Sequence, residues 1–122
     1  NGRKKNNDTN HHYKKMVRIM KKMRYLMEDS YITAYSSAAK NVSSFMLESL
    51  LWNVEDSWYL SNCGNYRKVF AFNQLIAMLR RRKDDFGEYK EANGIKALCP
   101  TTSDHTNLCN FLDQLSYFYD YE

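Results

Sequence analysis

Between Tyr13 and Met27, apolar side chains recur at steps of three and four. At about 100° per residue, Tyr13, Met16, Val17, Met20, Met23 and Met27 fall on one side, with Ile19 and Leu26 at its edge. Lys14, Lys15, Arg18, Lys21 and Lys22 fall opposite. The pattern predicts a strongly amphipathic helix, capped by Thr9 or Asn10 and running to about Glu28. Residues 29–41 are small and polar and read as a long connection with room for a short turn of helix. "SSFMLESLLWNV" (43–54) predicts a second helix with Ser43 or Ser44 at its cap. It is apolar nearly all round, as the buried centre of an α domain is. Residues 55–65 read as a loop or short helix ending at Gly64. Val69, Phe70, Phe72, Leu75, Ile76 and Leu79 repeat at helical spacing within a third helix, from Tyr66 to about Lys83. It closes on "RRRK", and basic side chains suit a helix carboxy end. A Gly- and Pro-containing loop with one short extended or helical piece follows. A final helix, about 105–119, has Leu108, Phe111, Leu112, Leu115 and Tyr119 on one face.

No stretch alternates as a strand does, and there is no internal repeat, low-complexity run or dividing linker. The expected architecture is all-α: a compact bundle of about four main helices with irregular connections. It spans 1–122 as one helical domain, with residues 1–8 as a flexible segment or arm. A chain of 122 residues can bury one core. Four Gly and one Pro leave few turns for a β sandwich. No apolar run reaches the ~20 residues of a membrane span, and the polar amino terminus carries no visible signal peptide. No membrane partner is expected. The chain does not begin with Met, as fits a processed or trimmed part of something longer. Three Cys (Cys63, Cys99, Cys109) without a CxxC spacing cannot close a set of disulfides, which favours reduced thiols and a cytoplasmic location. The recurring Met residues of the first main helix read as adaptable core filling.

Charge changes the picture more than composition does. The net charge is only +4, but the first 24 residues hold nine of the eighteen Lys and Arg against one acid, Asp8. From Asp104 onward there are four acids and no Lys or Arg. This asymmetry points to an anionic partner near the basic helix. Lys15, Arg18 and Lys22, at i, i+3 and i+7, make one stripe that can present fixed cations to phosphate oxygens. Ser44 and Phe45, at a helix start, add a hydroxyl, backbone N–H groups and a ring able to face a base. The plain alternative is a solvated basic face and a capping serine. Catalytic signatures are missing: no GxSxG, HExxH, P-loop, dinucleotide fingerprint or strand-borne pair of acids. His11 and His12 diverge on a helix, and Cys99, His105 and Cys109 lack an evident fourth ligand. Asp84 and Asp85 read as solvated surface. No metal site and no catalytic residue are assigned.

"NGRKKNNDT", "YKKMVRIMKKMR", "SSFMLESLLWNV" and "YKEANGIKAL", in this order and at these separations, resemble a known family. It is the carboxy-terminal helical domain of bacterial nucleotidyltransferases of the cyclic GMP-AMP synthase and oligoadenylate synthase-like superfamily. The likeness runs from Asn1 to about Leu98; the last segment matches only as a helix with aromatics. It implies a division of labour: an amino-terminal α/β domain supplies a Gly-Ser loop and magnesium-binding acids, and the helical part holds the nucleoside triphosphate. It further implies that Lys15 and Arg18 face the triphosphate, with Lys22 extending their stripe. Ser44 would touch phosphate and Phe45 would stack on the base, where some members carry Tyr. Glu48, Trp52 and Asn53 belong to the helix motif and read as packing or local polar bonds.

The Gly-Ser loop and the metal-binding acids do not occur in these 122 residues. The chain as it stands is therefore expected to be non-catalytic, a fragment of an enzyme or a free-standing module. It needs no cofactor of its own, and magnesium would enter with the nucleoside triphosphate if a catalytic domain is present. The expected partners are a nucleotide, and a catalytic domain in cis or a second copy covering the exposed apolar face. Two other functions compete: a protein-interaction module forming a homo-oligomer, to which Tyr117, Tyr119 and Tyr121 would contribute, and a sequence-nonspecific nucleic-acid binder using the basic amino-terminal helix and "RRRK".

Overall fold

The computed structural model describes residues 2–64 and 68–119, with Lys68 described by its backbone alone. Among the described residues seven α-helices follow in order: α1 (Gly2–Asp8), α2 (His12–Glu28), α3 (Thr33–Lys40), α4 (Ser44–Trp52), α5 (Asp56–Asn62), α6 (Lys68–Arg81) and α7 (Thr102–Phe118). A 3₁₀ helix, Lys83–Glu88, follows α6. The fold is all-α, as the pattern predicts. Among the described residues the sole β feature is an isolated antiparallel bridge between Lys90 and Ala97. The four helices read from periodicity are α2, α4, α6 and α7; the expected start of the third of them, at Tyr66, lies outside the described residues.

Helix α2 is the hub. Tyr13, Met16, Val17, Met20 and Met27 are buried along one side, and α3, α4 and α7 pack around it. Ile19 and Met23 are half-buried at the margin, and Leu26 is exposed. Two left-handed residues, Asn10 (φ 54°) and His11 (φ 67°), turn the chain into the helix. The predicted Thr9 cap survives in part: Thr9 is fully buried, and its Oγ1 accepts the Tyr13 N–H at 3.1 Å. That bond satisfies one of the first-turn donors a helix leaves open.

Two segments differ from expectation. Residues 1–8, expected as a flexible segment or arm, carry α1. The helix, GRKKNND, has no buried residue and no apolar stripe. What fixes the helix is Lys5, whose Nζ donates to the Val54 carbonyl (2.6 Å) and pairs with Asp56 (2.7 Å). The same ammonium lies over the rings of Tyr59 and Tyr13, at 5.4 and 5.9 Å. Residues 29–41, expected as a connection, hold the eight-residue α3, which buries only Ala38 and Ala39. Two alanines let it approach α2 and α7 closely while leaving no apolar period to read.

At the far end, Thr101 and Asp104 form a capping box that starts α7 at Thr102, three residues before the expected position. Leu108, Phe111, Leu112 and Leu115 are buried from the predicted face, and Tyr119 packs edge-on against Phe72 at 5.0 Å. Tyr117 is exposed; Tyr121 lies outside the described residues.

Candidate functional site

Helices α2 and α4 run antiparallel, pinned at three heights. Arg24 Nε donates to the Val42 carbonyl (2.8 Å), Lys21 Nζ pairs with Glu48 (2.9 Å), and Tyr13 Oη donates to the Glu48 carbonyl (3.1 Å). Tyr13 is held neutral, its pKa raised first by burial and then by the Glu48 charge. This seam positions the first turn of α4 beside the carboxy-terminal half of α2.

The adjacent serines divide the work at that turn. Ser43, not Ser44, is the cap: its Oγ accepts the Met46 N–H at 3.0 Å. The Ser44 hydroxyl is half-buried and has no hydrogen-bond partner among the described residues. Phe45 is 48% exposed, with no ring contact among those residues. A hydroxyl and a ring thus stand open side by side, where the first N–H groups of a helix attract anions.

The basic stripe is less uniform than its spacing suggests. Arg18 and Lys22 are exposed, and no ion pair engages either among the described residues. Lys15 is half-buried and lies near His12 and Cys63. Desolvation first, then the Lys15 charge, lowers the His12 pKa; burial pushes the Cys63 thiol up to about 11 against the opposing pull of Lys15. Lys21, the residue facing α4, is about 60° around the helix from Arg18 and about 120° from Lys15. By rotation about the axis, Arg18 is thus the stripe residue closest to the face that meets α4, and Lys15 is turned toward the end of α5.

Glu48, Trp52 and Asn53 carry packing and local polar bonds, as read from the motif. Asn53 Nδ2 donates to the carbonyls of Ser49 (2.8 Å) and Lys90 (2.6 Å), while its Oδ1 accepts the Lys90 N–H (3.0 Å). Ser49 Oγ accepts the Ala92 N–H at 3.0 Å. Residues four apart on α4 thereby clamp "YKEANGIKAL" to it. That segment is an extended turn, not a helix. It bends at Gly94 (φ +76°), where a Cβ would stand 3.5 Å from Trp52.

Periodicity gave no sign of the surface beyond Phe45. A cleft of about 200 Å³ opens there, lined by Phe45, Met46, Leu98 and Pro100 with the carboxylates of Glu91 and Asp104. Glu91 lies in the clamped turn and Asp104 in the α7 capping box, so no single helix face records them. The other basic feature, "RRRK", is partly spent within the molecule: Arg80 pairs with Asp113 (3.0 Å), and Arg82 holds both oxygens of Glu55 (2.7 and 3.0 Å). Among the described residues no three His, Cys, Asp or Glu side chains gather to hold a metal ion. His105 instead bonds the Lys83 carbonyl through Nε2 at 2.8 Å. All three thiols are free, and none of the described helices is long and apolar enough to cross a membrane.

Residues 1–120 match the family model described as the cGAS/DncV-like nucleotidyltransferase C-terminal helical domain. Curated relatives include a cyclic GMP-AMP synthase, CdnE03, of Staphylococcus schleiferi, 39% identical over 96% of this chain and 34% of its own length. A cyclic dipurine nucleotide synthase of Elizabethkingia meningoseptica is 35% identical over 87% of this chain and 34% of its own. The chain thus spans about a third of the length of these relatives. Its helical architecture and the match over nearly every residue agree: the chain belongs to the C-terminal helical domain family of cGAS/DncV-like nucleotidyltransferases.

Proposed function

We propose that this chain is the nucleotide-holding half of a bacterial nucleotidyltransferase. Arg18 and Lys22, with Lys15 farther along the stripe, face the triphosphate. The Ser44 hydroxyl donates to a phosphate oxygen, and the Phe45 ring stacks on the base. The observation that carries this reading is the split between the two serines: Ser43 takes the cap bond and leaves the Ser44 hydroxyl open. Ser44 is therefore not spent as a helix cap, which was the plain alternative for its hydroxyl. Nucleotidyl transfer itself belongs to a catalytic domain in cis, which would bring the metal-binding acids and the magnesium that accompanies the nucleoside triphosphate. Free thiols are in keeping with a cytoplasmic setting.

Calorimetric titration with ATP and GTP in the presence of magnesium tests the reading. The isolated chain should bind in the high micromolar to millimolar range, because half of the cleft is supplied elsewhere. Arg18→Ala and Ser44→Ala should each weaken binding several-fold, with Lys15→Ala milder. Unchanged affinity in the Arg18 and Ser44 variants would remove the site.

A homo-oligomer is the second reading, favoured by Tyr25, Tyr31 and Ile32, exposed together where α2 gives way to α3. Light scattering decides it: a monomer at tens of micromolar removes it.

A further inference from the structure

The residues proposed to hold phosphate, on the α2 side, do not account for the cleft on the other side of Phe45. Ser44 lies toward the α2 seam, while Phe45, the next residue, borders the cleft with Glu91 and Asp104. A nucleotide crossing this pair from phosphate to base would carry its base over the Phe45 ring and its edge into that cleft. At about 200 Å³ the space is smaller than the ~300–1,000 Å³ of a pocket that encloses a whole ligand, but it suits one planar base.

The charged residues there are both acidic, and the Ser43 hydroxyl lies beside them. The Glu91 carboxylate has neither a hydrogen-bond nor an ion-pair partner among the described residues. Asp104 spends Oδ2 on the Thr101 N–H (3.2 Å) and Oγ1 (2.8 Å), and no contact engages its Oδ1. Neither carboxylate has a Lys or Arg against it, so the pair repels phosphate and favours N–H donors. Glu91 is also held in place: its segment is clamped by Asn53 and Ser49, and its own N–H donates to the Lys96 carbonyl at 2.7 Å. An acceptor carried on a held backbone, beside an exposed ring, has the two elements of base reading, stacking and edge hydrogen bonds.

We propose that Glu91, backed by Asp104, reads the Watson–Crick edge of the base stacked on Phe45 and selects guanine. This rests on the nucleotide-holding reading above. Guanine offers two adjacent donors, N1–H and the 2-amino group, to one carboxylate, as a bidentate pair. Hypoxanthine loses the amino donor. Uracil offers a single N–H flanked by two carbonyl oxygens, which the carboxylates repel. No proton is transferred; the carboxylates accept hydrogen bonds only.

Backbone-amide NMR shifts of the chain, titrated with GTP, ITP and UTP plus magnesium, test this at weak affinity. GTP should saturate at a several-fold lower concentration than ITP, with UTP weakest, and the Phe45 and Glu91 amides should move together. Glu91→Gln, whose side chain has no intramolecular partner to lose, should weaken GTP more than ITP and so erase the GTP-to-ITP ratio. If GTP, ITP and UTP bind alike, or Glu91→Gln preserves the ratio, the base-reading role fails while nucleotide holding stands. If none of the three shifts any amide at millimolar concentration, both fail.

Discussion

Neighbouring side chains of the same chemistry have different roles in this domain, and single substitutions should separate them. Ser43→Ala removes the α4 cap and should cost about 1 kcal/mol in chemical denaturation. Ser44→Ala, which breaks no internal bond, should leave stability within about 0.5 kcal/mol and lower nucleotide affinity instead. A reversed result would exchange their roles. Glu55 offers a second separation, by pH. The two-point hydrogen bonding from Arg82, with its charge and that of Lys5, holds the Glu55 carboxyl down at about 2 despite some desolvation. A depressed carboxyl pKa contributes stability above its unfolded value, and that contribution is lost as pH falls from about 4.5 toward about 2. Because Glu55 is half exposed, the effect should stay under about 1 kcal/mol. Glu55→Gln should flatten this acid limb in denaturation curves; an unchanged slope would mean that the pair adds nothing.

At the scale of elements, legibility followed the kind of contact that makes each helix. α2 and α7 bury continuous apolar stripes, so their faces stood out in the sequence, and the capping box that starts α7 was present as Thr101-x-x-Asp104. α3 is made by two alanines and α1 by one part-buried cation, neither of which has a period. The candidate site shows the same division. The stripe and the Ser-Phe pair are local spacings, whereas the rotation of Lys15 toward Cys63 and the meeting of Phe45 with Glu91 and Asp104 depend on tertiary placement. The α4 clamp can be tested directly. Asn53→Ala releases Lys90 from both sides and should cost about 1–2 kcal/mol. Hydrogen exchange at the Lys90 and Ala92 amides should accelerate far more than in α2. Protection that falls equally everywhere would show that the segment is not a separately held unit.

For the whole molecule, the helices share one buried core, and α2 crosses it. Met20 is fully buried on α2, amid the packing of α3, α4 and α7. Met20→Ala should cost about 2–5 kcal/mol and shift a single cooperative unfolding transition, while losing separate transitions for the two ends would contradict a common core.

The anchoring of α1 also sets an order in time. A seven-residue helix cannot persist alone in water, and its holding contacts close across 49 and 51 residues of chain. Its structure has to wait until Val54 and Asp56 are in position. Such a contact belongs late on the folding route, after the rate-limiting barrier. Lys5→Met should therefore speed unfolding several-fold in stopped-flow experiments and leave the folding rate nearly unchanged. A helix held by the distant contacts of one side chain would be the last to settle and the first to leave.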